Sequence, residues 1–136
     1  MILYHSSPSD VIAGHLTGGF FEGWPNPPAP ATHLRLLAGS DAVELAVDDT
    51  TGQVVGFVTA VTDGILCAYI PYLEVLPAYR RRGIGSELVC RILARFAHLY
   101  DIDLLCLPEV QPFYERLGFQ RAHGMDIKNY QRQSGA

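Results

Sequence analysis

Several things are scarce in this 136-residue chain, and each shortage removes a class of protein. Cysteine occurs three times, at Cys67, Cys90 and Cys106, with no Cys-x-x-Cys. That spacing is poor for zinc, and an odd, scattered set makes no disulfide framework. Three buried free thiols in a reducing compartment are therefore expected. No apolar run approaches the ~20 residues that a membrane span needs, and the opening Met1–His5 carries no basic leader, so a soluble cytoplasmic protein is expected. A basic excess is missing as well: the net charge is -4 and the pI about 5.6, which speaks against broad nucleic-acid binding. The five histidines (His5, His15, His33, His98, His123) show no metal-ligand spacing and read as surface or partly buried side chains; no metal is expected. No Gly-x-Ser-x-Gly elbow is present for a serine hydrolase.

What remains is a chain that is 49% apolar and 18% charged, enough for one ordered domain over residues 1–136. Thirteen glycines and nine prolines argue against a helical bundle. Ile2–Tyr4 reads as a short strand. Ser7-Pro8-Ser9-Asp10 carries the signals of a helix start, with Ile12, Leu16 and Phe20 as its apolar stripe. Four prolines between Pro25 and Pro30 make a stiff loop that also holds the single tryptophan, Trp24. This loop is either a rigid connector or the wall of a cleft. A short helix follows near Ala31–Leu37, then strands over Ala42–Val47 and Gln53–Val61. Asp63-Gly64 signals a two-residue hairpin into a third strand, from Ile65 to about Leu76, in which Pro71 calls for a bulge. Helical periodicity runs from Ile84 to Leu99, with Ile84, Leu88, Ile92, Phe96 and Leu99 inward and Glu87, Arg91 and Arg95 outward. Ile102–Cys106 reads as a short buried strand. A two-turn helix ends at Leu117-Gly118, and one or two further strands extend to about Tyr130. The expected class is α+β.

Nine of the ten basic residues are arginine, and three stand together in Val75-Leu76-Pro77-Ala78-Tyr79-Arg80-Arg81-Arg82-Gly83-Ile84-Gly85-Ser86. Here a strand turns tightly into a long helix. Gly83 and Gly85 let a ligand approach the backbone, and the helix start and the arginines add positive charge, which suits a pyrophosphate. The segment is neither a P-loop nor a dinucleotide fingerprint. Arg80-Arg81-Arg82-Gly83-Ile84-Gly85 resembles the Gln/Arg-x-x-Gly-x-Gly/Ala signature of the GNAT superfamily of acyl-CoA N-acyltransferases. Pro112-Phe113-Tyr114-Glu115-Arg116-Leu117-Gly118-Phe119 is similar to its Phe-Tyr-x-x-x-Gly-Phe motif, and the whole chain resembles a small single-domain bacterial branch.

The resemblance implies a mixed, mostly antiparallel sheet of about six or seven strands with helices on both faces. It implies acetyl-CoA as co-substrate, with pantetheine between Ile65–Leu76 and Ile102–Cys106. Backbone groups of Val75 and Leu76 would bond pantetheine. The N–H groups from Arg81 to Ser86 (Arg81, Arg82, Gly83, Ile84, Gly85, Ser86) would hold the pyrophosphate, with added charge from Arg80 and Arg82. Tyr114 stands at the general-acid position; otherwise it is a packing aromatic. Glu74, the one carboxylate in the apolar central strand, is either the general base, its pKa raised by desolvation, or the partner of a nearby arginine. Trp24 and Tyr72 would bound a cleft for a small-molecule amine. Leu107 stands where many members carry a cofactor-contacting asparagine. The resemblance allows a homodimer. A CoA-binding module without catalysis, or a binder of another phosphate ligand, would use the same loop.

Overall fold

The computed structural model describes residues 1–136, and one sheet organises it. Strands β1 (Ile2–His5), β2 (Ala42–Asp48), β3 (Val54–Thr62), β4 (Cys67–Val75) and β5 (Asp101–Asp103) lie side by side in chain order. The first four run antiparallel, and β5 joins β4 in parallel. β3 is rich in Val and buried along Val54–Ala60, because the sheet is covered on both faces. On one face α2 (Ile84–Arg95) packs Ile84, Leu88 and Ile92 against Val55, Val58 and Ile70. On the other, α1 (Pro30–Gly39) and a 3-10 turn at Ala13–Leu16 bring Leu37, Leu16 and Phe21 onto Val43, Leu45 and Phe57. Gly56 lets α2 sit close: a Cβ there would lie 3.1 Å from Leu88 Cδ1 and 3.2 Å from Ile84 Cγ2.

The sheet has five strands, not six or seven. β5 pairs with β4 over three residues only and then departs, so the segment after Phe119 has no edge beside it to join. No main-chain N–H from Gln120 to Tyr130 meets an acceptor in the protein. Three local expectations also give way. The Ser7 hydroxyl accepts a bond from the Ser9 N–H, a local turn rather than a helix cap, and only Ala13–Leu16 coils. The Asp63 carboxylate accepts the N–H groups of Ile65, Leu66 and Cys67, which widens the hairpin loop and starts β4 at Cys67. Cys67 and Cys90 are exposed and Cys106 is half-buried, so the thiols are not core residues.

Two buried polar groups matter to stability. Glu44 is 2% exposed; it accepts the Ser6 hydroxyl and lies 3.4 Å from the Arg95 guanidinium, which also donates to the Val43 carbonyl at 2.9 Å. Arg91 pairs with Glu87 along the helix at 2.8 Å, whereas Arg95 turns inward to the sheet. His33 is 1% exposed among the rings of Phe20, Phe21 and Phe57, not at the surface, and its Nε2 has no partner. Burial lowers its pKa to about 4.

Arg95→Met should cost roughly 3 kcal/mol by stranding the Glu44 carboxylate, against under about 0.5 for Arg91→Met at an exposed pair, measured by urea unfolding. His33 should also couple folding to pH. Its folded pKa lies below the unfolded ~6.5, so the unfolded chain binds the extra proton, and stability falls as pH drops from about 6.5 toward 4. The slope reaches at most about 1.4 kcal/mol per pH unit. Melting curves of His33→Phe should lack that component, with a gain over wild type that grows as pH falls below about 6.5, levels off below about 4, and is smallest at pH 8.

Candidate functional site

β4 and its following turn place the candidate groups. Pro71 has no N–H for the ladder, and the register with β3 slips there: Thr59 faces Tyr72 and Val61 faces Tyr69, so Ala60 stands against both Ile70 and Pro71. The bulge expected from the sequence is present. It reverses side-chain parity, so Tyr69, Tyr72 and Glu74 all point to the α1 face, Glu74 opposite Phe57. Val75 points to the α2 face, where its Cγ2 lies 3.7 Å from the Cβ position of Gly85.

The edges of β4 divide in the same way. The Leu76 N–H donates to the Val55 carbonyl at 2.8 Å, and the Leu76 carbonyl accepts the Tyr79 N–H. Both main-chain groups of Leu76 thus bond within the fold. By antiparallel alternation, the main-chain groups of Leu73 and Val75 point away from β3, beyond the end of β5. The Val75 carbonyl accepts the Arg80 Nε–H at 3.1 Å, and Arg80 also approaches Glu22 at 3.7 Å.

The turn after β4 is held from below. The Tyr79 hydroxyl donates to Asp48 at 2.6 Å, and the Arg82 guanidinium lies 5.0 Å from the Tyr79 ring centroid. Bonds from Thr50 and Tyr79 hold the Asp48 carboxyl down to about 2. Arg81 adopts φ +63°, an uncommon left-handed conformation for a residue other than glycine, and Gly83 caps α2 at φ +79°. From Arg81 to Ser86, six successive N–H groups have no acceptor in the protein. Of the three arginines, Arg80 is engaged with the strand, Arg82 rests on Tyr79, and Arg81 is unpartnered.

Glu74 is partly buried, and Phe21 N–H donates to its carboxylate at 2.8 Å. Burial pushes the carboxyl up, opposed by that bond and by Arg80, although no arginine lies in ion-pair contact. α3 (Gln111–Glu115) buries Tyr114 between Phe113 and Phe119, at ring distances of 4.9 and 5.6 Å. Burial, with Cys106 beside it, pushes its phenol up to about 12, so it stays protonated.

Two cavities meet at Tyr69, Leu105 and Asp126. The smaller, about 570 Å³, contains Tyr114 and Cys106. The larger, about 930 Å³, is bounded by Trp24, Pro25 and Pro28, by Tyr72 6.0 Å from Trp24, and by the chain end. Trp24 and Tyr72 thus share a cavity wall. Asn26 N–H donates to the Gln133 side chain at 2.9 Å and fixes that end segment over the proline loop. Glu74 lines neither cavity. Sequence reasoning missed Arg35, Asp126, Lys128 and Arg132, all of which line the larger space; nothing local marks them.

Known proteins share this arrangement. A putative acetyltransferase of Deinococcus radiodurans R1 is 47% identical, with a TM-score of 0.95 over 99% of this chain and 93% of that one. Arabidopsis thaliana GCN5-related N-acetyltransferase 3, chloroplastic, is 43% identical over 72 residues, 52% of this chain and 30% of that protein. The chain spans between about a third and three-fifths of the length of the curated relatives it matches. An aminoglycoside N-acetyltransferase, AAC(6')-Iy, solved in complex with CoA, has the same fold at 19% identity, with a TM-score of 0.67 over 95% of this chain and 94% of that one. The acetyltransferase (GNAT) domain model matches residues 40–121, which hold the β4 turn, α2 and Tyr114. The chain belongs to the GNAT family of acetyltransferases.

Proposed function

We propose that this chain transfers an acetyl group from acetyl-CoA to the primary amine of a small molecule, by direct attack in a ternary complex. One observation carries the reading: six unpartnered N–H groups at the start of α2 adjoin a strand edge left open at Leu73 and at the Val75 N–H. A diphosphate accepts from the first, and an amide-bearing arm pairs with the second. Arg81 is the arginine free to add charge. The CoA complex of the aminoglycoside enzyme, which has the same fold, supports the choice of ligand. Bound acetyl-CoA supplies the thioester.

The chain's own groups do the rest. An alkyl ammonium of pKa ~10.4 must lose a proton before it attacks. Glu74 lies two residues along β4 from Tyr72, about 7 Å, but outside both cavities, and takes that proton through a chain of waters. As the nitrogen bonds the acyl carbon and the carbon–sulfur bond breaks, Tyr114 offers its phenolic hydrogen to the sulfur. Holding the reactants together supplies much of the rate.

Tyr114→Phe keeps the ring packing and removes the donor; kcat should fall about 10²-fold with KM nearly unchanged. Unaltered turnover would exclude Tyr114 as the acid, and a wild type inert toward a broad amine panel would leave a CoA-binding module. For Glu74, the acid limb of kcat/KM should rise with pH through a carboxyl pKa above the ordinary range. In Glu74→Gln that limb should vanish with a rate loss of at least about tenfold. A wild-type pH profile in this variant would instead assign Glu74 to anchoring Phe21.

A further inference from the structure

The charges around the larger cavity contrast with those of the whole chain. The protein carries a net charge of -4, yet Arg35, Lys128 and Arg132 line this space against one carboxylate, Asp126. Lys128 is already paired with Asp126. Arg35 and Arg132 have no carboxylate within 4.0 Å and donate no side-chain hydrogen bond within the protein. Four of the nine arginines, Arg80, Arg91, Arg95 and Arg121, are ion-paired. Of the five unpaired ones, Arg81 and Arg82 belong to the anion loop, Arg116 follows α3, and Arg35 and Arg132 converge on the larger cavity from α1 and the chain end.

The lining is also polarised. Asp126 lines both cavities and so marks their junction, on the side of Tyr114, whereas Arg35 and Arg132 line only the larger one. Trp24 and Tyr72 line the same larger space. Free guanidiniums offer a planar fork matched to carboxylate or phosphate, and a carboxylate at the other end attracts an ammonium. A body lying on the aromatic wall buries apolar area.

We infer that the acceptor is an amine that also carries an anionic group, with an apolar or aromatic body between the two charges. The anion sits at Arg35 and Arg132, and the amine sits at the Asp126 junction, next to the Tyr114 cavity, where it displaces Lys128 from its exposed pair with Asp126. This deepens the acyl-transfer reading and rests on it for the fate of the amine, but not for binding.

Calorimetry with CoA present separates the cases, using para-(aminomethyl)benzoate, its phosphonate counterpart and benzylamine. The benzoate or the phosphonate should bind about tenfold or more tighter than benzylamine, and the better of the two identifies the anion. Arg35→Gln and Arg132→Gln should each lose most of that preference while leaving benzylamine and CoA binding unchanged. Equal or tighter binding of benzylamine, or arginine variants that keep the wild-type preference, overturns the inference. Selective binding without thiol release from acetyl-CoA would instead sink the acyl-transfer reading and leave the anionic amine site standing.

Discussion

A missing N–H at Pro71 governs the geometry of β4. Without a donor at that position the ladder with β3 cannot run unbroken, and Ala60 comes to face two residues instead of one. The parity change sends Tyr69, Tyr72 and Glu74 to one face and Val75 to the other. It lets Tyr69 line both cavities while Tyr72 lies tilted beside Trp24. β5 then ends at Asp103, six residues before β4 would run out of pairing partners in register, and the edge stays open at Leu73 and at the Val75 N–H. The bulge and the early departure of β5 together create a wall with a binding edge at its end.

The turn that follows depends on a strained residue. Arg81 in the left-handed region costs on the order of 1 kcal/mol, and it persists because its neighbours are tied down. Asp48 holds Tyr79 from β2, Tyr79 carries Arg82, and Arg80 reaches back to the strand. With Gly83 also at positive φ, the main chain keeps its N–H groups unspent from Arg81 to Ser86. The turn is thus already organised in the free protein, so the proposed binding of a diphosphate there would carry little ordering cost.

Much of this could be read in advance, and the failures share a cause. The turn chemistry around Arg80–Ser86, the bulge at Pro71 and the periodicity of α2 are local properties of side-chain spacing, and all three appear in the fold. The helix expected from Ser7 did not form, because the Ser7 hydroxyl found a nearer bond at Ser9. His33 read as a surface or partly buried histidine like the other four; only the packing of Phe20, Phe21 and Phe57, from two distant segments, buries it fully. The same holds for Arg95, which spacing assigned to the helix exterior and which a carboxylate on β2 drew inward.

The order of residues alone determined the family, the glycine-rich turn before α2 and the place of the motif tyrosine, since each is a short pattern that depends on backbone conformation within a few positions. Tertiary structure decided the number of strands, the face taken by Glu74, and the joining of the proline loop to the chain end through Asn26 and Gln133. It also decided that Arg35 and Arg132 would share a cavity, 97 positions apart in the chain. Such pairings depend on how distant segments pack, and no local pattern encodes them.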